Sequence, residues 1–306
     1  MGRVRVGTSS WTDKTLLESG WYPPEASTPQ ERLKFYASRF PLVEVDSTYY
    51  ALPSERNAVL WVERTPKDFR FDIKAFSLMT GHPTRHRALP KDLRALVEEA
   101  PDPLYPKDVP DEVRDRVWEM FRSTLMPLHS AGKLGLVLFQ FPQWFFPGSR
   151  EKDEILACRD RLPDYDVAVE FRQKKWFEDQ AATKKTLDFL RSERIPFVCV
   201  DMPQGFVSSL PPIAEATSDR WAVVRFHGRR SETWNKRGVP PIERFRYDYS
   251  KEELQEWVPR VEHLSEQARE THALFNNCYR DYAARNAADF ATMLGQVTET
   301  AEETGR

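Results

Sequence analysis

The stretch WAVVRFHGRR (221–230) begins as an apolar β-strand and ends in Arg225, His227, Arg229 and Arg230. Two other strand-like runs also end in charge. VAVEFR (167–172) closes on Glu170 and Arg172, and FRFDIKA (69–75) carries Asp72 and Lys74. A carboxylate beside an imidazole can move protons, and nearby cations can stabilise developing negative charge. Glu170 is therefore the candidate general base or acid, His227 its partner, and Asp201 and Lys74 further catalytic candidates. Arg172 and Arg225 are candidate anion ligands, because a planar guanidinium grips an oxyanion at two points. Gly228 lets a ligand approach the backbone closely. Arg229 at the rim, and the amides near Asn277, complete the expected phosphate site.

More residues of binding type fall at the ends of strand-like runs. They are Asp46, Gln140 and Asn276, together with the loop residues Tyr49, Trp11, His82 and Trp176. The loop RRSETWNKRGVPPIERFRYDY (229–249) interleaves basic residues with Trp234, Phe245, Tyr247 and Tyr249. That mixture suits a phosphate-bearing ligand with a flat group to stack. Each feature also has a structural reading. Lys74, Arg172 and Arg225 could simply neutralise Asp46, Glu170 and Asp201, since buried charges need partners. The aromatics could be core, and the loop an ordinary solvated one.

Eight short apolar runs could position these groups: 4–7, 42–46, 69–75, 134–141, 167–171, 196–201, 221–226 and 273–277. Helical patterns lie between most of them. The run 28–40 opens with Thr28 as a cap and Pro29 at the first helical position. Others cover 54–65, 111–132, 182–194, 250–270 and 281–299, while 202–220 is the least helical connection. Strands alternating with helices predict a single-domain α/β fold, an eight-stranded parallel β/α barrel over residues 1–306. Extra material falls after strand three (76–133) and strand seven (228–270). An open doubly wound sheet is the rival, although GTSSW lacks the later glycines of a dinucleotide fingerprint.

In such a barrel, alternate strand residues face the helices and should be apolar, while the others fill the interior. Val167, Val169 and Phe171 then face outward. The polar set Asp46, Lys74, Gln140, Glu170, Arg172, Asp201, Arg225, His227 and Asn276 gathers as one inward layer at the C-terminal ends. That end carries the chemistry of β/α barrels.

Composition narrows the function. The 306 residues carry a net charge of −2, so attraction for an anion must be local. Three cysteines without metal-ligand spacing read as reduced thiols of a cytoplasmic protein. No apolar run approaches membrane-spanning length. The six histidines are too few and too scattered for a multinuclear zinc centre. No cofactor is expected, although Glu170, Asp201 and Asp46 could hold a single Mg²⁺ or Mn²⁺.

Seven motifs appear in order: GTSSW, FPLVEVDSTYYALPS (40–54), FRFDIKAF…MTGH (69–82), LGLVLFQFPQWF (134–145), VAVEFRQKKWF (167–177), RFHGR (225–229) and FNNCYRDYAARNA (275–287). The chain resembles the YecE-like family, domain of unknown function 72, along nearly its whole length. The resemblance implies a β/α barrel and by itself implies no reaction. From the residues, the leading expectation is a hydrolase or lyase acting on a phosphate-bearing substrate, with a nucleotide or nucleic acid among the candidates. A non-catalytic nucleic-acid-binding barrel and a two-carboxylate glycosidase are the alternatives.

Overall fold

The computed structural model describes residues 1–236 and 238–296. Eight strands form one parallel sheet: β1 (Arg3–Thr8), β2 (Leu42–Val45), β3 (Arg70–Lys74), β4 (Leu134–Gln140), β5 (Val167–Glu170), β6 (Val198–Asp201), β7 (Trp221–Phe226) and β8 (Glu270–Phe275). Their order is β5-β4-β3-β2-β1-β8-β7-β6. A parallel bridge from Val169 to Phe197 joins β5 to the approach of β6 and brings the ring nearly to closure. The fold is the expected β/α barrel, and near-closure leaves little free sheet edge.

The outward faces are mostly apolar. Phe226 and Phe275 meet Phe290 of the helix Tyr282–Met293, Phe71 stacks on Trp61, and Phe139 stacks on Trp118. Val169 and Phe171 are fully buried, as expected of strands covered on both sides. Thr28 caps the helix Pro29–Arg39 in a reciprocal capping box with Glu31. The connection from β6 to β7 forms no helix, and the long connections follow β3 and β7, as read from the sequence. Residues 297–299 of the expected closing helix lie outside the described residues.

Two expectations need correction. The helix Ser149–Asp160 was not anticipated, because only Ile155 and Cys158 of its twelve residues are buried and no apolar stripe advertises it. β8 starts at Glu270, three residues earlier than its apolar run, and so carries His272 into the barrel.

Candidate functional site

Lateral neighbours in a parallel sheet share a face, so the register fixes which residues enter the barrel. Gln140 pairs with Glu170, and Glu44 with Asp72, all pointing inward. Arg225, one residue before Phe226, also turns inward. It lies fully buried at the centre of an ion network. Its Nε and Nη2 donate to the two oxygens of Glu44 at 2.7 and 2.5 Å, and its Nη1 donates to Glu170 Oε2 at 2.5 Å. Burial opposes the charge on Arg225, but the two carboxylates outweigh it and hold the guanidinium protonated. Arg225 therefore has no arm left for a ligand.

Glu170 is saturated in the same way. Its Oε1 accepts from Gln140 Nε2 at 2.7 Å and pairs with Arg172 Nε at 2.6 Å. Burial alone would raise this carboxyl, but Arg172 and Arg225 hold it well below the usual range. A fully buried, multiply paired carboxylate is a poor proton acceptor. His227 Nε2 lies 3.1 Å from both Glu170 Oε1 and Arg172 Nη2, and its Nδ1 lies 2.9 Å from the Asn276 amide nitrogen. Burial, reinforced by Arg172, pushes this imidazole down to about 3, so the ring is neutral. Nε2 faces both the Glu170 acceptor and the Arg172 donor. Glu44, Glu170, Arg225 and His227 thus form the sealed floor of the barrel mouth.

Above this floor opens a cavity of about 590 Å³, lined by strand-end residues and by the connections after β2, β3, β4, β6 and β7. Asp46, Lys74, Gln140, Arg172, Asn276, Tyr49, His82 and Trp234 all reach its wall, as anticipated. A 3₁₀ turn at Asp46–Tyr49 follows β2 directly, and the Thr48 hydroxyl ties it to the Lys74 carbonyl. Asp46 Oδ1 is thereby set 2.7 Å from Lys74 Nζ, and the Tyr49 ring lies 4.5 Å from the same nitrogen. Arg172 sits over Trp234 at 5.5 Å. Among the described residues its Nη1 makes no hydrogen bond, and Arg244 Nε is buried and equally unpartnered. Lys236, Arg244 and Phe245, from the basic and aromatic loop 229–249, also line the wall, as do Tyr50 and Trp144. Gln143, Ser208 and Asn235 are lining residues that no sequence signal singled out.

His82 is held between Tyr49 and Trp144. Thr80 Oγ1 donates to the Ser77 carbonyl at 3.2 Å, so at 2.9 Å its oxygen accepts the His82 Nδ1 proton. Nε2 is then the unprotonated nitrogen. Burial, with Lys74 and Arg172 adding repulsion, pushes His82 down to about 3.

Several anticipated site residues lie elsewhere. Asp201 pairs in register with Phe226 and so faces the helices, where it accepts from Tyr249 Oη, Trp257 Nε1 and Arg229. Arg229 follows it and also bonds Glu256. Gly228 takes a positive φ of 85°, gives its N–H to Tyr249 Oη and packs against Tyr247, so its missing side chain serves the fold. Asn277 donates to the Tyr247 carbonyl and to Asn286. Trp11 packs edge-on against Trp61 and Phe71, and Trp176 is buried against Phe171 and Phe145. These six residues are not at the cavity. The Mg²⁺ or Mn²⁺ set also fails to converge: Asp201 faces away, Glu170 is saturated, and Asp46 is paired with Lys74. Among the described residues no group of three or more His, Cys, Asp or Glu is placed to hold a metal.

A second buried network was not anticipated. Toward the N-terminal ends of the strands, His272 Nδ1 lies 2.8 Å from Asp72 Oδ2 and its Nε2 lies 3.0 Å from Glu270 Oε1. Arg5 Nε donates to the same Glu270 oxygen at 2.6 Å. Gly135 leaves room for this contact, since a Cβ there would fall 2.2 Å from Asp72 Oδ1. Extending the eighth strand back to Glu270 would have revealed it, because 270, 272 and 276 share one parity.

The family model for "Protein of unknown function DUF72" matches residues 5–305. The chain belongs to the DUF72 family. It is 31% identical over 299 residues to the Bacillus subtilis UPF0759 protein YunF, covering 95% of this chain and 94% of that one. A solved DUF72 protein from Thermotoga maritima is 32% identical, covers 96% of this chain and 100% of its own, and superposes with a TM-score of 0.74. A DUF72 protein from Enterococcus faecalis, 24% identical, shares the fold over 99% of both chains with a TM-score of 0.78. Among the described residues of this DUF72 chain, no helix is long and apolar enough to cross a membrane.

Proposed function

We propose that the barrel mouth is the active site of a metal-independent acid–base enzyme, a hydrolase or lyase, acting on a small phosphate-bearing substrate with a flat group. The observation that carries this reading is the cationic wall. Among the described residues, Arg172, whose Nη1 makes no hydrogen bond, shares one cavity with Arg244, Lys74 and Lys236, against a single lining carboxylate, Asp46. Unpartnered guanidinium nitrogens in a confined site favour an oxyanion. Trp234, Phe245, Tyr49, Tyr50 and Trp144 supply flat surfaces beside it. Asp46, Lys74 and the free nitrogen of His82 are the groups in reach of a substrate. A bound anion would leave the burial of His82 in place but offset the repulsion of Lys74 and Arg172, and so raise its pKa. Glu170 and His227 act through Arg172 as positioning residues.

The two-carboxylate glycosidase reading loses support. Asp46 is the single carboxylate among the described lining residues, and Glu170 is sealed beneath it. The non-catalytic nucleic-acid reading keeps one supporting feature: Tyr50 and Trp144 are 57% and 48% exposed at the rim, where bases of a longer strand could stack.

Calorimetric titration with inorganic phosphate and with a nucleoside monophosphate tests the anion wall. The nucleotide should bind more tightly than phosphate, and Arg172→Met should weaken both by about 1.5–3 kcal/mol, the range for a charged hydrogen bond. If Arg172→Met melts like the wild type and binds both ligands equally well, the reading is wrong. A screen of phosphate-bearing compounds for turnover then separates enzyme from binder. Absence of turnover, with single-strand affinity that falls steeply with salt, would favour the nucleic-acid reading.

A further inference from the structure

Lys74 is a residue of unusual placement. It ends β3, a rigid element, and its side chain is only 9% exposed although its nitrogen reaches the cavity wall. An ammonium has three N–H donors. Asp46 Oδ1 takes one at 2.7 Å, and the face of Tyr49 at 4.5 Å shields another direction. Among the described residues the third has no partner, and the cavity lies beyond it. The other lysine on the wall, Lys236, is exposed on a loop. Asp46, with a 24% exposed side chain, touches both the amine and the cavity, so it can exchange protons with whatever binds there.

We infer that Lys74 is a nucleophile that forms an imine with the aldehyde or ketone carbon of a phosphate-bearing substrate, with Asp46 moving the protons. The inference rests on the proposed anion wall, which would orient the carbonyl toward Nζ. Lys74 first passes a proton to Asp46. Its lone pair then forms the C–N bond as the carbonyl π pair moves to oxygen. Asp46 gives its proton to that oxygen and takes one from nitrogen, leaving a neutral carbinolamine. Asp46 next protonates the hydroxyl, the C–O bond breaks with its electron pair, and water leaves as nitrogen forms the C=N bond. Ammonium and carbonyl have become iminium and one water, and Asp46 ends as it began. No oxidant or metal is needed. An iminium at this carbon accepts electrons, which makes a lyase-type bond cleavage the natural following chemistry.

The test uses the full chain with glyceraldehyde 3-phosphate, borohydride trapping and peptide mapping, beside glyceraldehyde and competing inorganic phosphate. The expected result is one reduced adduct per chain, on Lys74, formed faster than at any exposed lysine. It should be weaker with glyceraldehyde and suppressed by phosphate. Lys74→Met should lose the adduct. Asp46→Asn, checked by melting, should slow trapping by roughly a hundredfold, the scale of a lost proton-transfer group, while phosphate affinity should hold or rise because a negative charge has left the cavity. Adducts spread over surface lysines with Lys74 unmodified, while phosphate still binds by calorimetry, would overturn the imine and leave the anion site standing. Lys74 labelled equally by both aldehydes, with phosphate neither binding nor protecting, would overturn the anion wall and leave the nucleophile.

Discussion

Arg225→Met replaces a fully buried guanidinium with a shorter, uncharged side chain. Glu170 keeps its contacts to Arg172, Gln140 and His227. Glu44 does not: both of its oxygens are held by Arg225, and no other side-chain donor reaches it among the described residues. The variant therefore strands one carboxylate completely shielded from water. Breaking a buried pair from one side costs about 3–5 kcal/mol. For a chain of 306 residues that corresponds to a loss of roughly 5–8 °C in melting temperature. Thermal melting followed by circular dichroism, supported by urea titration, reads the change. The pH dependence carries a second signature. Burial already raises Glu44 to about 7 despite the pairing with Arg225, and loss of that guanidinium would raise it further. Protonation would then restore stability to the variant below the unfolded pKa, and the deficit would grow as pH rises through the folded one. Adding Glu44→Gln should recover part of the loss, because the stranded charge is gone. A variant that melts within about 2 °C of the wild type across this range would refute the reasoning, since that shift is worth about 1.3 kcal/mol or less.

Other consequences follow from the same geometry. Asp72 and Glu270 raise His272 to about 9 against its burial, so its contribution to stability is complete below about 6.5 and fades as pH rises toward 9; His272→Gln should flatten the alkaline side of a melting-temperature profile, and an unchanged profile would count against the buried imidazolium. On the acid side, burial opposes ionisation of Glu270, but its contacts with His272 and Arg5 bring it to about 2, so that contribution is lost as pH falls from about 4.5 toward 2. Gly135→Ala should destabilise by about 1–3 kcal/mol, the overpacking range, because its Cβ would meet Asp72 Oδ1; wild-type urea stability would show that the site has room. Thr80→Val removes the acceptor that fixes the His82 tautomer and should alter the imidazole ¹⁵N shifts, at a stability cost of about 1–3 kcal/mol for the lost hydrogen bonds; unaltered shifts would deny Thr80 that role.

Strand alternation was enough to read the inner wall of the upper barrel from the sequence. It turned Glu170, Arg172, Arg225, His227 and Asn276 inward, and the structure joins them in one network. Alternation gives direction but not depth. Arg225 and Glu170 point inward yet lie a layer below the cavity, while Arg172, two residues after Glu170, reaches it. Asp201 shows another limit. A strand's last polar residue can face either side, and the register with Phe226 turns this one outward. Gly228 and Arg229 followed Asp201 out of the site, because all three belong to one cluster around Tyr249. The pairing of Lys74 with Asp46 across β3 and β2, and the seat of Arg172 on Trp234, depend on long-range packing that no local pattern announces.

The central claim is that an oxyanion sits against Arg172 at the barrel mouth. Anomalous diffraction from crystals soaked in tungstate, a heavy analogue of phosphate, tests it most directly. The predicted result is a single dominant peak within about 3–4 Å of Arg172 Nη1, in the cavity that Arg244 also lines. A dominant peak on the exposed rim or elsewhere, with the mouth empty, would contradict it.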